Sequence, residues 1–408
     1  MARGRRRLGA VLTQDLLAVL GELAGTASPH GGERALAESF VRFASARWPF
    51  IDWQVRRLDG NAASVLATVL GEADRRVDGH VGGAASPRPA DVVLYSHLDT
   101  SLTGDPGPDA AITGRTDTPA PFQVSGDTVS GFGLGVAKAP AAAAVTGFVR
   151  AAKPGTQLLL AARGTHRTDW GPHALTGVGE YLGAFPPPRA AVVAKGGPPG
   201  VLRQEPAALY LRVRLTGAWG PLMLYPNGGL LARAGDLLAA VSGWGASYTA
   251  HRTDPARQDG ASFGLGALRA GSPAKSDLAP AALELYCYLV LPGPVVPGEA
   301  AASLRAALDG ATVDEMLLGN GPATPGDAPI VRTATDAYES EFPAAAPITG
   351  WTGSTDGVVF RAAGVPTARL GPRPLGGGAD PRVDTFSVPE LARWARVYER
   401  LISDSCIS

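Results

Sequence analysis

Three short runs of almost unbroken apolar residues constrain the fold most: "DVVLYSHLD" (91–99), "TQLLLAA" (156–162) and "RAAVVAKG" (189–196). Strands that do not alternate between apolar and polar must be covered on both faces, as in a mostly parallel sheet under helices. The segment between the first two, "APAAAAVTGFVRAA" (139–152), has helical composition, so strand and helix alternate as an α/β fold requires. Upstream, "LGAVLTQDLLAVLGELAG" (8–25) carries Asp15 and Glu22 at helical spacing and reads as an amphipathic first helix. "GTASPHGGE" is a turn, "RALAESFVRFASARW" a second helix, and "DWQVRRL" and "ASVLATVLG" are strands around the turn "DGN" at 59–61. "GHVGGAASPRPA" (79–90) is a Gly/Pro-rich loop.

The pattern changes near residue 206. "AALYLRVRLTG" alternates as a half-exposed strand should, and "GGLLARAGDLLAAVSGW" reads as a helix. "PAALELYCYLVLPG" is a strand, "GEAAASLRAALDG" a second helix and "ATVDEMLL" a last strand. A β-α-β-β-α-β unit of this size folds as a small ferredoxin-like layer. After about 326 the first pattern resumes, with "GVPTARLGP" as a strand and "VPELARWARVYERLI" as a closing helix. The expected fold class is therefore α/β, a mostly parallel sheet flanked by helices, with an inserted α+β ferredoxin-like domain. The expected boundaries are 1–205 with 326–408 for the discontinuous first domain and 206–325 for the insert.

Charge narrows the functional classes. Lys+Arg and Asp+Glu number 37 each in 408 residues, so no net field attracts nucleic acid or an anionic membrane. No apolar run reaches the length of a bilayer span, and the basic start "MARGRRR" leads into an amphipathic helix rather than a signal peptide. Cys287 and Cys406 are the only thiols, which argues against a disulfide framework. The expectation is a cytoplasmic protein.

Several motifs, in order, carry a resemblance: "SPHGGE", "DGN", "SHLDT", "SGFGLGVAKAPAAAA" and "GSTDGVVFRAAGVPTARLGP". Together they resemble the dizinc amidohydrolase and metallopeptidase family of acetylornithine deacetylase, succinyl-diaminopimelate desuccinylase, carboxypeptidase G and the aminoacylases, over nearly the whole chain. The resemblance implies a zinc-peptidase-like domain and an insert that acts as a lid, with a monomer or a homodimer through that lid. It also implies two zinc ions sharing a carboxylate and a water, whose proton a separate Glu removes.

Carried over residue by residue, the resemblance makes His97 a zinc ligand and Asp99 the carboxylate that orients it. Taken alone, the two also read as residues closing a strand. Lys138 matches the lysine of its motif, with Ala139 where glycine is expected. The bridging Asp is replaced by Val136 and the catalytic Glu pair by Thr165 and His166. The next acidic ligand falls on Ala194 or Lys195, the last ligand His on Asp380, and the lid histidine on Pro221. A valine offers no donor atom, and a threonine has no useful pKa for a base near neutrality. A paired metal centre is therefore not expected, and no cofactor is.

The leading expectation is a repurposed biosynthetic enzyme acting on a small amino-acid- or peptide-like molecule by metal-independent acid/base chemistry. Cyclisation, condensation, acyl transfer and isomerisation all remain open. Its catalytic candidates are His97, Asp99, His166, Asp380 and Lys138, with Asp169 nearby and Ser354, Thr355 and Asp356 as substrate-binding residues. One alternative is a non-catalytic pseudoenzyme that binds a ligand or partner. Another is an amide hydrolase with a single Zn or Fe ion on His97, His166 and Asp380.

Overall fold

The structure is a computed structural model that describes residues 2–69, 88–113, 122–164, 176–225, 227–250, 252–254, 259–293, 295–319, 321–345, 353–377 and 384–405. The chain divides into two compact units, 1–204 with 323–348 and 355–408, and 205–322 with 349–354. In chain order the first unit begins α1 (Ala2–Gly25), α2 (Arg34–Arg47), β1 (Ile51–Arg57), β2 (Ala63–Val69), β3 (Val92–His97), α3 (Ala139–Ala151), β4 (Thr156–Ala161), α4 (Gly177–Ala184) and β5 (Ala191–Ala194). The second unit follows as β6 (Ala207–Thr216), α5 (Ala234–Ala250), β7 (Ser262–Ala270), β8 (Ala282–Leu291), α6 (Glu299–Ala306) and β9 (Thr312–Leu317). The first then resumes with α7 (Pro329–Glu339), α8 (Gly357–Ala362), β10 (Thr367–Leu370) and α9 (Val388–Asp404).

The first unit is built on a six-stranded sheet ordered β1-β2-β4-β3-β5-β10. β4, β3, β5 and β10 run parallel, whereas β1 and β2 join antiparallel at one edge. The apolar runs lie where the sheet is covered on both sides. Val92 and Leu94 of β3 enter a core with α1, α2, α3 and α9, while Val93 and Tyr95 face a second core with α4 and α8. Within the first core α3 is buried along nearly its whole length. A Cβ on Gly147 would lie 2.5 Å from the Ala395 carbonyl oxygen, so only glycine lets α3 approach α9 this closely. α9 begins with Ser387 accepting from the Glu390 N–H at 3.3 Å, and it buries Leu391, Trp394, Ala395, Tyr398 and Leu401 at helical spacing.

The second unit is a four-stranded sheet ordered β7-β8-β6-β9, antiparallel throughout, with α5 and α6 in the β-α-β-β-α-β order of a ferredoxin-like motif. Its second strand, for which the sequence pattern offers no segment, is β7. That edge strand, "SFGLGALRA", is mostly exposed and carries two glycines, so it lacks the apolar alternation that marks β6 and β8. Among the described residues, no helix is long and apolar enough to cross a membrane.

Candidate functional site

Parallel sheets gather functional groups at the carboxyl ends of their strands, where the following loops diverge. In the first unit, β3 ends at His97, and Leu98–Asp99 follow; β4 leads to Arg163–Gly164; β5 leads to Lys195. Two other segments meet them. The loop from Ser28 to Glu33 joins α1 to α2, and Leu134–Lys138 forms a single turn of π-helix in which the Lys138 N–H reaches the Gly133 carbonyl. Such turns widen the helix locally and recur at functional sites.

Asp99 is the hub of this region. It is 4 % exposed, and its Oδ1 lies 2.9 Å from His97 Nδ1 and accepts the Gly164 N–H at 3.0 Å. Its Oδ2 lies 3.2 Å from His30 Nδ1. One carboxylate therefore anchors two imidazoles. Burial alone would raise the Asp99 pKa, but the two histidines outweigh it and hold the carboxyl well below its usual range. Each ring is fixed through Nδ1, and neither Nε2 has a hydrogen-bond partner among the described residues. With an ionised carboxylate accepting at Nδ1, neutral His97 keeps its proton there and its lone pair at Nε2. Burial, and then the nearby Lys195 ammonium, lower the His97 pKa, which favours that neutral form.

Glu33 lies fully buried beside this hub. Its Oε1 accepts the N–H groups of Gly31 at 2.8 Å and Arg163 at 3.0 Å, while Oε2 has no partner among the described residues. Burial, and then the charge of Asp99, raise the Glu33 pKa. Arg163 presents its N–H from a left-handed backbone, φ +49°, which is costly for a side chain with a Cβ. Its guanidinium pairs with Asp59 of the "DGN" turn. His30, Glu33 and Asp99 offer ligand atoms within 4.8 Å of one another.

Lys138 is the third buried charge carrier. Its Nζ donates to Ser28 Oγ and to the Leu98 carbonyl, both at 2.6 Å, which ties the residue after His97 to the α1–α2 loop. Burial pushes its amine down to about 7, against the opposing pull of Asp99 and Glu33. Asp384 holds the π-helical turn itself by accepting the Gly135 N–H at 2.8 Å.

The structure thus brings together His97, Asp99 and Lys138 of the residues that the sequence singled out. Ser354, Thr355 and Asp356 are buried at the start of α8. Asp356 accepts a hydrogen bond from the Tyr95 hydroxyl, and Thr355 accepts the Gly357 N–H at 3.2 Å. Thr165, His166, Asp169 and Asp380 lie outside the described residues. His30 and Glu33 were missed as site residues. "SPHGGE" reads as a turn, and nothing in its composition signals that the glutamate is buried against an aspartate sixty-six residues away.

Among the described residues, one cluster, His30, Glu33 and Asp99, could hold a metal ion. Val136, where the resemblance implies the bridging Asp, is a residue type without a donor atom. Lys195, one of the two positions at which the resemblance implies an acidic ligand, brings an ammonium near His97. Asp99 already spends both oxygens on the two rings and Gly164.

The fold is that of metal-dependent peptidases and amidohydrolases. The M20 family metallo-carboxypeptidase of Sulfolobus solfataricus shares it with a TM-score of 0.63 at 10% identity, covering 97% of this chain and 100% of that one. Human carnosine dipeptidase 1 shares it with a TM-score of 0.64 at 10% identity, covering 98% and 97%. A dinuclear metal-binding M20 peptidase from Bacillus subtilis does so with a TM-score of 0.53 at 12% identity, covering 97% and 98%. The fold is thus shared with these solved structures over 97–98% of the chain. No family model matches the sequence, and no curated protein does.

Proposed function

We propose that this protein is an enzyme that acts on an amino-acid- or peptide-like molecule by metal-independent acid/base chemistry centred on His97. One observation carries the reading: Asp99 holds the Nδ1 edges of His97 and His30 and leaves a buried, unpartnered Nε2 on His97. A His–Asp pair of this kind accepts a proton at Nε2, while the carboxylate stabilises the imidazolium that forms and keeps the ring in one tautomer. Lys138 fixes the β3 terminus on which both groups stand. The M20 fold supports the substrate class by analogy, because proteins that share it are described as peptidases and dipeptidases. The cyclisation, condensation, acyl-transfer and isomerisation chemistries all begin or end with a proton at such a base.

The test is a screen of N-acyl amino acids and dipeptides by NMR with enzyme held in excess EDTA. Turnover in chelator, lost in His97→Gln with folding intact, is expected. Turnover that appears only when zinc is added would overturn the reading.

A second reading rests on the His30, Glu33 and Asp99 cluster. An imidazole and two carboxylates suit a single hard or borderline divalent ion, which would supply Lewis-acid chemistry there. The reading requires Asp99 to exchange its hydrogen bond to His30 for a metal bond. One ion per chain, lost in Glu33→Gln, would favour it over the first.

A further inference from the structure

His97 has a neighbour that the acid/base reading does not use. β3 and β5 pair in parallel with Val93 opposite Ala191, Leu94 opposite Val192 and Tyr95 opposite Val193. The Ser96 hydroxyl then donates to the Ala194 carbonyl at 3.0 Å, which keeps the two strands together to their last residues. His97 closes β3 and Lys195 follows the last residue of β5, at the same level and one strand spacing apart, about 5 Å.

Strand alternation sends both side chains to one face. Val93 and Tyr95 of β3 and Ala191 and Val193 of β5 all belong to the core on the α4/α8 side, so His97 and Lys195 continue that row at the carboxyl edge. His97 is 2 % exposed and Lys195 is 9 % exposed. Both groups are therefore largely desolvated, and the lysine is near enough for its charge to act on the imidazole. The resemblance implies a metal-binding carboxylate at Ala194 or Lys195, and neither residue supplies one.

A neutral Nε2 takes a proton, and removing a proton next to a carbonyl, or adding water to one, leaves negative charge on the carbonyl oxygen. The groups needed at that moment are a base and a fixed cation close by. We propose that Lys195 is that cation: the catalytic residue that binds the developing oxyanion while His97 Nε2 holds the proton. This inference rests on the acid/base reading and assigns its substrate class. The substrate is a carbonyl compound whose oxygen becomes anionic in the reaction, and the lysine ammonium provides the positive charge that metal ions provide in metal-dependent hydrolases.

The experiment uses full-length protein in EDTA and two probes: glycylglycine, and its phosphinate isostere in which PO2−–CH2 replaces the amide. The phosphinate carries the charge of the transition state, and the dipeptide does not. Calorimetry should show the phosphinate bound more tightly than the dipeptide by roughly tenfold or more, the scale of a charge-assisted contact. Lys195→Met should abolish that preference, and Lys195→Arg should retain most of it. In the same samples, the His97 imidazole signal should titrate at higher pH in Lys195→Met, because a neighbouring cation has been removed.

Equal binding of the two probes, no binding of either, or a preference that survives in Lys195→Met overturns the proposal. If Lys195→Met does not fold, the wild-type preference and the Lys195→Arg result decide. Should His97→Gln abolish turnover while Lys195→Met leaves it intact, this inference falls and the acid/base reading stands. Should neither substitution matter, both fall.

Discussion

The two units treat charge in opposite ways. In the second unit, two arginine–carboxylate pairs join neighbouring strands of the sheet. Arg212 pairs with Asp314 and Arg214 with Glu284 while partly exposed, and the apolar row of Leu209, Leu211, Val213, Leu283 and Leu285 forms the core. In the first unit, the strand ends bury Glu33, His97, Asp99, Lys138, Arg163 and Lys195 within a few loops. Solvated pairs contribute little to stability, and buried charge costs stability unless closely partnered. A fold does not need such a cluster to hold together. Its concentration at the carboxyl edge of the parallel sheet is where the proposed acid/base chemistry would offset that cost.

Substitutions can break or sharpen this contrast. The largest effect is expected at Asp99. Asp99→Ala leaves His97, His30 and the Gly164 N–H without their buried acceptor, so urea unfolding should show a loss of about 3–5 kcal/mol. An apolar deletion in the other unit comes next. Leu285→Ala, in a fully packed row, should cost about 2–4 kcal/mol by the same measurement, from lost contacts and a cavity rather than from stranded polar groups.

Lys138 should reveal itself through pH. Its amine titrates near 7 when folded and near 10.4 when unfolded, so between those values the unfolded chain holds a proton that the native chain has released. Native stability should therefore rise with pH from about 7 to 9 in wild type. Lys138→Met should flatten that rise by roughly 1–3 kcal/mol, read from thermal melts at each pH. A parallel pH dependence in the variant would show that Lys138 is not the buried amine responsible. The smallest effect belongs to the exposed pair: Asp314→Ala should change stability by less than about 1 kcal/mol.

The fold was largely legible because its strongest signals are local. "VVLY", "LLLA" and "AVVA" read as doubly covered strands, and the Ala-rich α3 and amphipathic α9 are plain from composition and period. β7 escaped because an exposed edge strand with two glycines has no apolar pattern to read. The site was only half legible. His97 and Asp99 sit two residues apart at a strand end, where sequence shows them directly. His30 and Glu33 reach the same point from a loop between the first two helices, and Lys195 reaches it through strand register. Both depend on contacts between residues distant in the chain, which composition and spacing do not encode.

The account depends most on the absence of a paired-metal centre beside His97. Elemental analysis after incubation with excess zinc and exhaustive desalting tests it directly. The account predicts zinc well below one ion per chain, whereas two ions per chain, lost together in His97→Gln, would contradict it.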